Sequence, residues 1–370
     1  MRIVRCPDYG ESLATAFARL AEESALFDPE KVAGRRVLVK PNLLTDRTPD
    51  QAVTTHPSLL RLVIRRLKSA GARVTVGDSP ASAANIRAVL ERTGIGTVCK
   101  EEEVPFVSFE QEGALVCTAG GFDFTIARPV AEADLIVSLP KVKSHSLTKL
   151  TAAAKNLYGA VPGYEKATLH RLHPKPNDFG RLIQAIWSVL PPTASIADAI
   201  VGMEGQGPAN GRPVRLGFLA ASEDPFALDI ALCGILHIRA GTVPYLKGLV
   251  ESHAPKLEGD EVCVESFDVP VGAHLLGIVP AGIMRMAARI IWVRPRINAG
   301  KCTSCGRCIK ACPVDALGAS TMRQHGRSLP ILDSHACIGC ACCHEVCPNG
   351  AIRMTQSAVL RLMHAFRGID

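Results

Sequence analysis

With 370 residues, 47% of them hydrophobic and 21% charged, the chain is long enough for more than one domain and apolar enough to bury a core. A formal charge of +7 without a dense Lys/Arg run suits an anionic ligand or an acidic protein partner and falls short of a nucleic-acid footprint. Fourteen cysteines, and an opening MRIVRCPDYGES without an apolar signal region, argue against a disulfide scaffold and for metal binding in a reducing cytoplasm.

Residues 1–273 read as alternating strands and helices. RRVLVKPNLL (35–44) is an apolar strand, followed by the helical HPSLLRLVIRRLKSAGA (56–72), the strand RVTVGDSP (73–80) and the helical AANIRAVLERTGI (83–95). DLIVSLPKVKSH (134–145) is a strand running into a loop. ASIADAIVGM and VRLGFLAASEDP continue the rhythm, and helix PFALDIALCGIL follows. Such alternation implies βαβ units, hence an α/β fold with a mostly parallel sheet and flanking helices. Ligands of these sheets sit beyond the carboxyl ends of the strands, so the polar residues there are the candidates for a site.

Lys40 and Asn42 follow the first of these strands, and Asp78 ends the second. LPKVKSHSLTKLTAAAKNLYGAVPG carries Lys141, Lys143, His145, Lys155 and Asn156. Lys141, Lys143 and His145 alternate, so an extended segment would turn them one way. Lys40, Asn42, Asp78, Lys141, Lys143 and Asn156 are the candidate anion-binding set, and His145 and Lys155 the candidate catalytic pair. Asp198 should end a strand before the Gly-rich GMEGQGPANG. Asp224 before Pro225 should cap a helix. No phosphate-loop motif is present, and no G-x-G-x-x-G follows a strand.

The most apolar stretch, HLLGIVPAGIMRMAARIIWV (274–293), is interrupted by Arg285 and Arg289, so no transmembrane segment is expected. It reads as a linker helix over 274–296 that docks on protein, with a surface-lying membrane helix as the alternative. Beyond it stand two copies of C-x2-C-x2-C-x3-C-P: CTSCGRCIKACP and CIGCACCHEVCP. In this spacing three thiolates of each loop reach one cubane and the fourth serves the other. Cys302, Cys305, Cys308 and Cys347 should therefore hold one [4Fe–4S] cluster, and Cys337, Cys340, Cys343 and Cys312 a second. Structural zinc would instead use paired C-x2-C knuckles. CPVDAL and CPNGAI, each after a motif, should start short helices. Cys342 is surplus to the pattern: a small filler, or else a redox thiol or substitute ligand. Cys6, Cys99, Cys117, Cys233 and Cys263 read as buried small hydrophobes.

KPNLL, TTHP, VGDSP, LPKVKSHSLTKLTAAAKNLYG, GMEGQGP and SEDPFALD, followed by the two cysteine motifs, resemble the iron–sulfur proteins of the "domain of unknown function 362" family. Residues 297–357 resemble the bacterial two-cluster ferredoxin module, a small α+β domain, and 358–370 form a tail. The resemblance implies prokaryotic redox metabolism and supplies no substrate. Two functions remain open on these grounds: an oxidoreductase whose clusters exchange single electrons with an anionic substrate or cofactor in the α/β domain, and a non-catalytic carrier docking a partner reductase. A redox partner such as a ferredoxin, flavoprotein or reductase is implied by both. A redox sensor is the third class, weakened by the lack of a recognition helix.

Overall fold

The computed structural model describes residues 1–22, 24–81, 84–270, 292–324 and 327–359. The apolar stretch and most of the tail lie outside these residues, as does the start of the helix expected from 83. Among the described residues no helix is long and apolar enough to cross a membrane.

Among the described residues the α/β part carries twelve strands: β1 (Arg2–Arg5), β2 (Arg36–Pro41), β3 (Arg73–Asp78), β4 (Phe106–Ser108), β5 (Ala114–Ala119), β6 (Phe122–Ala127), β7 (Leu135–Leu139), β8 (Lys141–His145), β9 (Lys149–Thr151), β10 (Thr193–Glu204), β11 (Arg212–Ser222) and β12 (Glu258–Gly259). Ten of them form one sheet in the order β12-β1-β11-β10-β7-β2-β3-β4, with β8 and β9 branching from β10, while β5 and β6 pair apart. The run β10-β7-β2-β3-β4 is parallel. The continuous apolar run of β2 follows, because a central parallel strand is covered on both faces. Val37 and Val39 enter one core cluster, beneath helices Glu11–Glu22 and Pro57–Ser69. Leu38, pointing the other way, joins a second cluster with helices Pro176–Ser188 and Pro225–Ile235.

Helix Pro57–Ser69 shows why these segments coil. His56 caps it through Nδ1, Pro occupies the first turn, and Leu59, Leu60, Val63, Ile64 and Leu67 form one buried stripe. Asp224 caps helix Pro225–Ile235 by accepting from the Phe226 and Ala227 amides, as expected.

Three local readings are corrected. The segment after Pro140 is a strand, not a loop: β8 bonds to β10 and turns back on β9. β10 and β11 form an antiparallel pair, because the Gly-rich run is a short return rather than a crossover helix, and Asp198 lies inside β10. CPVDAL and CPNGAI lead into strands Leu317–Gln324 and Ile352–Gln356, whereas the short helices, Arg307–Lys310 and Cys342–Glu345, come just before the fourth cysteine of each motif. Of the scattered cysteines, Cys6, Cys99 and Cys233 are buried, but Cys117 is half-buried and Cys263 exposed.

Strand Val293–Ile297 pairs with Ile352–Gln356, so residues 293–296 belong to the small C-terminal module rather than to a helix. The module sits against the α/β part through polar contacts. Arg307 grips Asp46 at 2.7 and 3.3 Å, and Arg47 donates to the Cys347 carbonyl at 2.9 Å. His344 lies between the carbonyls of Ile352 and Gln206 at 2.7 and 3.0 Å, and Asn210 donates to the His344 carbonyl at 2.8 Å.

Candidate functional site

The carboxyl ends of β2 and β3 are adjacent, which brings Lys40 to Asp78. Their ion pair measures 2.6 Å, with both side chains 2% exposed. Asp78 also accepts the Leu43 amide at 2.7 Å. Asn156, on helix Ala153–Leu157, accepts from Asn42 at 2.9 Å and donates to Ser138 at 2.9 Å. That helix starts at Asp229, whose carboxylate accepts the Ala153 and Ala154 amides, and whose pKa burial lifts to about 7. Gly159 is demanded by proximity, since a Cβ there would come within 2.3 Å of Lys40 Nζ.

Six of the eight candidate residues from the α/β part, Lys40, Asn42, Asp78, Lys143, Lys155 and Asn156, line one cavity of about 100 Å³. Lys143 donates to the Val53 carbonyl at 2.7 Å, and Lys155 has no hydrogen-bonded partner among the described residues. Burial lowers the pKa of both lysines. Lys166 donates to the Ser79 carbonyl at 2.5 Å, and burial draws its pKa down to about 8. Asn42 Oδ1, Thr151 Oγ1 and His170 Nδ1 are buried at the cavity without a hydrogen-bond partner among the described residues. Four lysines against Asp78 and Glu345 make this a cationic cavity.

Two candidates lie elsewhere. Lys141 turns away, pairing with Asp198 at 2.6 Å and donating to Tyr9 Oη at 2.7 Å. His145 sits behind the cavity wall. Its Nδ1 accepts the Leu147 and Thr148 amides, so the ring proton is on Nε2, which faces Glu345 Oε1 at 3.2 Å. Burial and the nearby Lys155 hold His145 neutral, with a pKa of about 3. Burial alone would raise the Glu345 pKa, but His145 and Lys155 bring it down to about 2.

Sequence reasoning missed Lys166, His170 and Glu345. The first two stand four apart on helix Gly163–Leu172, and so share a face. That spacing was the available signal. Glu345 was hidden among the cysteines, and only the docking of the module brings it to Lys155.

The cysteines fit iron–sulfur ligation. Cys302, Cys305, Cys308 and Cys347 line one small cavity, the crossed set expected from the spacing. Ala316 N–H donates to Cys312 Sγ at 3.1 Å and Ala351 N–H to Cys347 Sγ at 3.2 Å, two equivalent N–H···S bonds, one in each half of the repeat. Cys340 and Cys343 are buried, Cys312 and Cys337 half-buried. Cys342 lines the lysine cavity together with Glu345 and Ala311.

A family model for a 4Fe–4S dicluster domain matches residues 295–354, so the C-terminal module is of the iron–sulfur electron-transfer type. A thylakoid-associated protein of Synechocystis sp. is 37% identical over 213 residues, which cover 57% of this chain and 66% of that one, just under two thirds of its length. Among solved structures, the lactate racemase apoprotein of Thermoanaerobacterium thermosaccharolyticum matches at 15% identity and a TM-score of 0.40, over 62% of this chain and 55% of that one. A Thermotoga maritima protein matches at 15% and 0.38, over 60% and 57%. Both likenesses are too slight to bear on function. The remaining match, over residues 37–234, carries every lysine of the cavity, and by it the chain belongs to the family described as domain of unknown function (DUF362).

Proposed function

We propose that the protein is an oxidoreductase in which electrons from two [4Fe–4S] clusters reduce a small anionic substrate or cofactor held in the lysine cavity. The observation that carries this reading is the shared wall: lysines of the α/β part face Cys342, Glu345 and Ala311 of the cysteine module across one cavity. Ala311 precedes Cys312, and Cys342 lies between Cys340 and Cys343. The cavity therefore adjoins the set we assign to the second cluster, Cys312, Cys337, Cys340 and Cys343. Bound clusters of this kind supply electrons singly, with no open position for substrate when four cysteines ligate.

Within this reading Lys143 and Lys155 neutralise the charge of the bound anion, and Asn42, Thr151 and His170 orient it by hydrogen bonds. Lys166, with its pKa near 8, is suited to hand a proton to the reduced product. His145 acts one step back, fixing Glu345. A concave, cation-lined cavity favours a substrate over a carrier role, for which a flat docking face would serve. A pure carrier also needs no unpaired polar atoms inside.

The test is native mass spectrometry of the full chain purified without oxygen, beside the Lys155→Met and Lys143→Met variants. A bound small anion in the wild type that is absent from both variants supports the reading. Two clusters and no further mass, together with no binding from a panel of carboxylates and phosphates by calorimetry, refutes it.

A further inference from the structure

The two cysteine sets differ in what surrounds them. Cys305 is exposed while Cys302, Cys308 and Cys347 are buried, so one edge of that set opens to solvent. Asn349 and Ile352 line both this cysteine cavity and a neighbouring groove of about 400 Å³. The groove carries Arg47, Lys301 and Arg353 against a single carboxylate, Asp50. Arg353 stands directly opposite Arg296 across the Val293–Ile297 and Ile352–Gln356 ladder, and both are exposed. Neither has an ion-pair partner among the described residues. Like charges placed face to face across strands cost stability, so this arrangement calls for an external anion. Arg327 adds a further cation, donating to the Cys302 carbonyl at 2.9 Å.

We propose that this basic rim docks a small acidic one-electron carrier protein. Each reduced carrier is oxidised by one electron, which passes into the module on the Cys305 side, and two dockings supply a two-electron reduction. The electrons leave toward the lysine cavity, a direction that rests on the function proposed above, whereas the docking itself does not. The other cysteine set suits delivery rather than acceptance, because its loop is turned inward through Cys342. Interspersed cations steer an acidic partner and keep the complex short-lived, as repeated single-electron transfer requires.

The experiment is anaerobic calorimetry of the cluster-loaded full chain with an acidic flavodoxin as probe. Wild-type affinity is expected to fall about tenfold or more when salt rises from roughly 50 to 300 mM. Lys301→Glu with Arg353→Glu should weaken binding at least ~tenfold at low salt, with iron content unchanged, while Lys247→Glu on the exposed α/β surface changes it less than ~twofold. Should the double variant fail to assemble, Arg296→Glu on the outer face of the ribbon replaces it, with the same loss expected. Unaltered affinity in these variants, an equal loss in Lys247→Glu, no flavodoxin binding at all, or retention of single-stranded RNA in its place overturns the proposal. Each result is independent of whether Lys155→Met loses its anion, so the two readings fail separately.

Discussion

Removing the carboxylate of Asp198 should unmask the cost of a buried lysine. Asp198 and Lys141 are 0% and 1% exposed and lie 2.6 Å apart. Asp198 also accepts from Tyr9 Oη at 2.6 Å and from the His56 amide at 2.9 Å, so one carboxylate answers three donors. In Asp198→Ala the ammonium keeps Tyr9 Oη and the Val201 carbonyl but loses its counter-charge. Breaking a buried pair in this way costs about 3–5 kcal/mol. With an unfolding entropy of about 2.1 cal/mol/K per residue over a unit of about 270 residues, Tm should fall by roughly 5–9 °C. Thermal unfolding of the cluster-loaded protein followed by circular dichroism reads this directly. The paired replacement Lys141→Met with Asp198→Leu should recover most of the loss, since an apolar pair of similar volume is often neutral. It should also retain anion binding, because Lys141 does not reach the cavity. A fall below ~1 °C in Asp198→Ala, or a double variant as unstable as the single one, would refute the argument from charge.

Gly159→Ala places a Cβ 2.3 Å from Lys40 Nζ and 2.8 Å from Asp78 Oδ1. It should cost about 1–3 kcal/mol by urea titration and weaken anion binding, and unchanged values in both would show that the pair yields easily. Burial holds His56, His145 and His170 neutral, with pKa values of about 4, 3 and 4. Unfolding then takes up protons on these histidines below about pH 6.5, while Asp229, raised to about 7, releases one above about pH 4. Stability should therefore rise with pH from about 4 to 6.5, with a net uptake of about two protons, and a flat profile in urea midpoints would contradict it. Cys347→Ser should lower iron from about eight to about four atoms per chain or abolish assembly, and an unchanged iron content would exclude Cys347 as a ligand.

The carboxyl-end rule located much of the cavity because β2 and β3 are parallel neighbours, so residues ending each strand meet. Lys40 and Asp78, 38 positions apart in sequence, become an ion pair for that reason alone. Alternation was a weaker guide. It says which side of β8 a residue takes but not how far along the sheet it stands, and so it grouped Lys141 with Lys143 although one meets Asp198 and the other the cavity. Glu345 was illegible because its significance depends on docking between two segments about 190 residues apart, and no local pattern encodes that contact. The misplaced helices after Cys312 and Cys347 have a simpler cause. The likeness of CPVDAL to CPNGAI shows that the two segments fold alike but not into what, and each leaves its turn directly into a strand.

The surplus cysteine of CIGCACCHEVCP acquires a setting from helical geometry. Residues three or four apart on a helix share a face. Cys342 and Glu345, three apart, therefore point to the lysine cavity, while Cys343 turns to the cysteine core that Cys347 joins just beyond the helix. His344, between them in angle, reaches back to the Gln206 carbonyl and the Asn210 amide. One turn thus serves cluster loop, cavity wall and interdomain contact at once. A module that dissociated as a free carrier would strip the cavity of Cys342, Glu345 and Ala311, and would leave Lys155 facing solvent instead of a carboxylate. The shared turn argues for a module held in place against the lysine cavity, as the function proposed above requires.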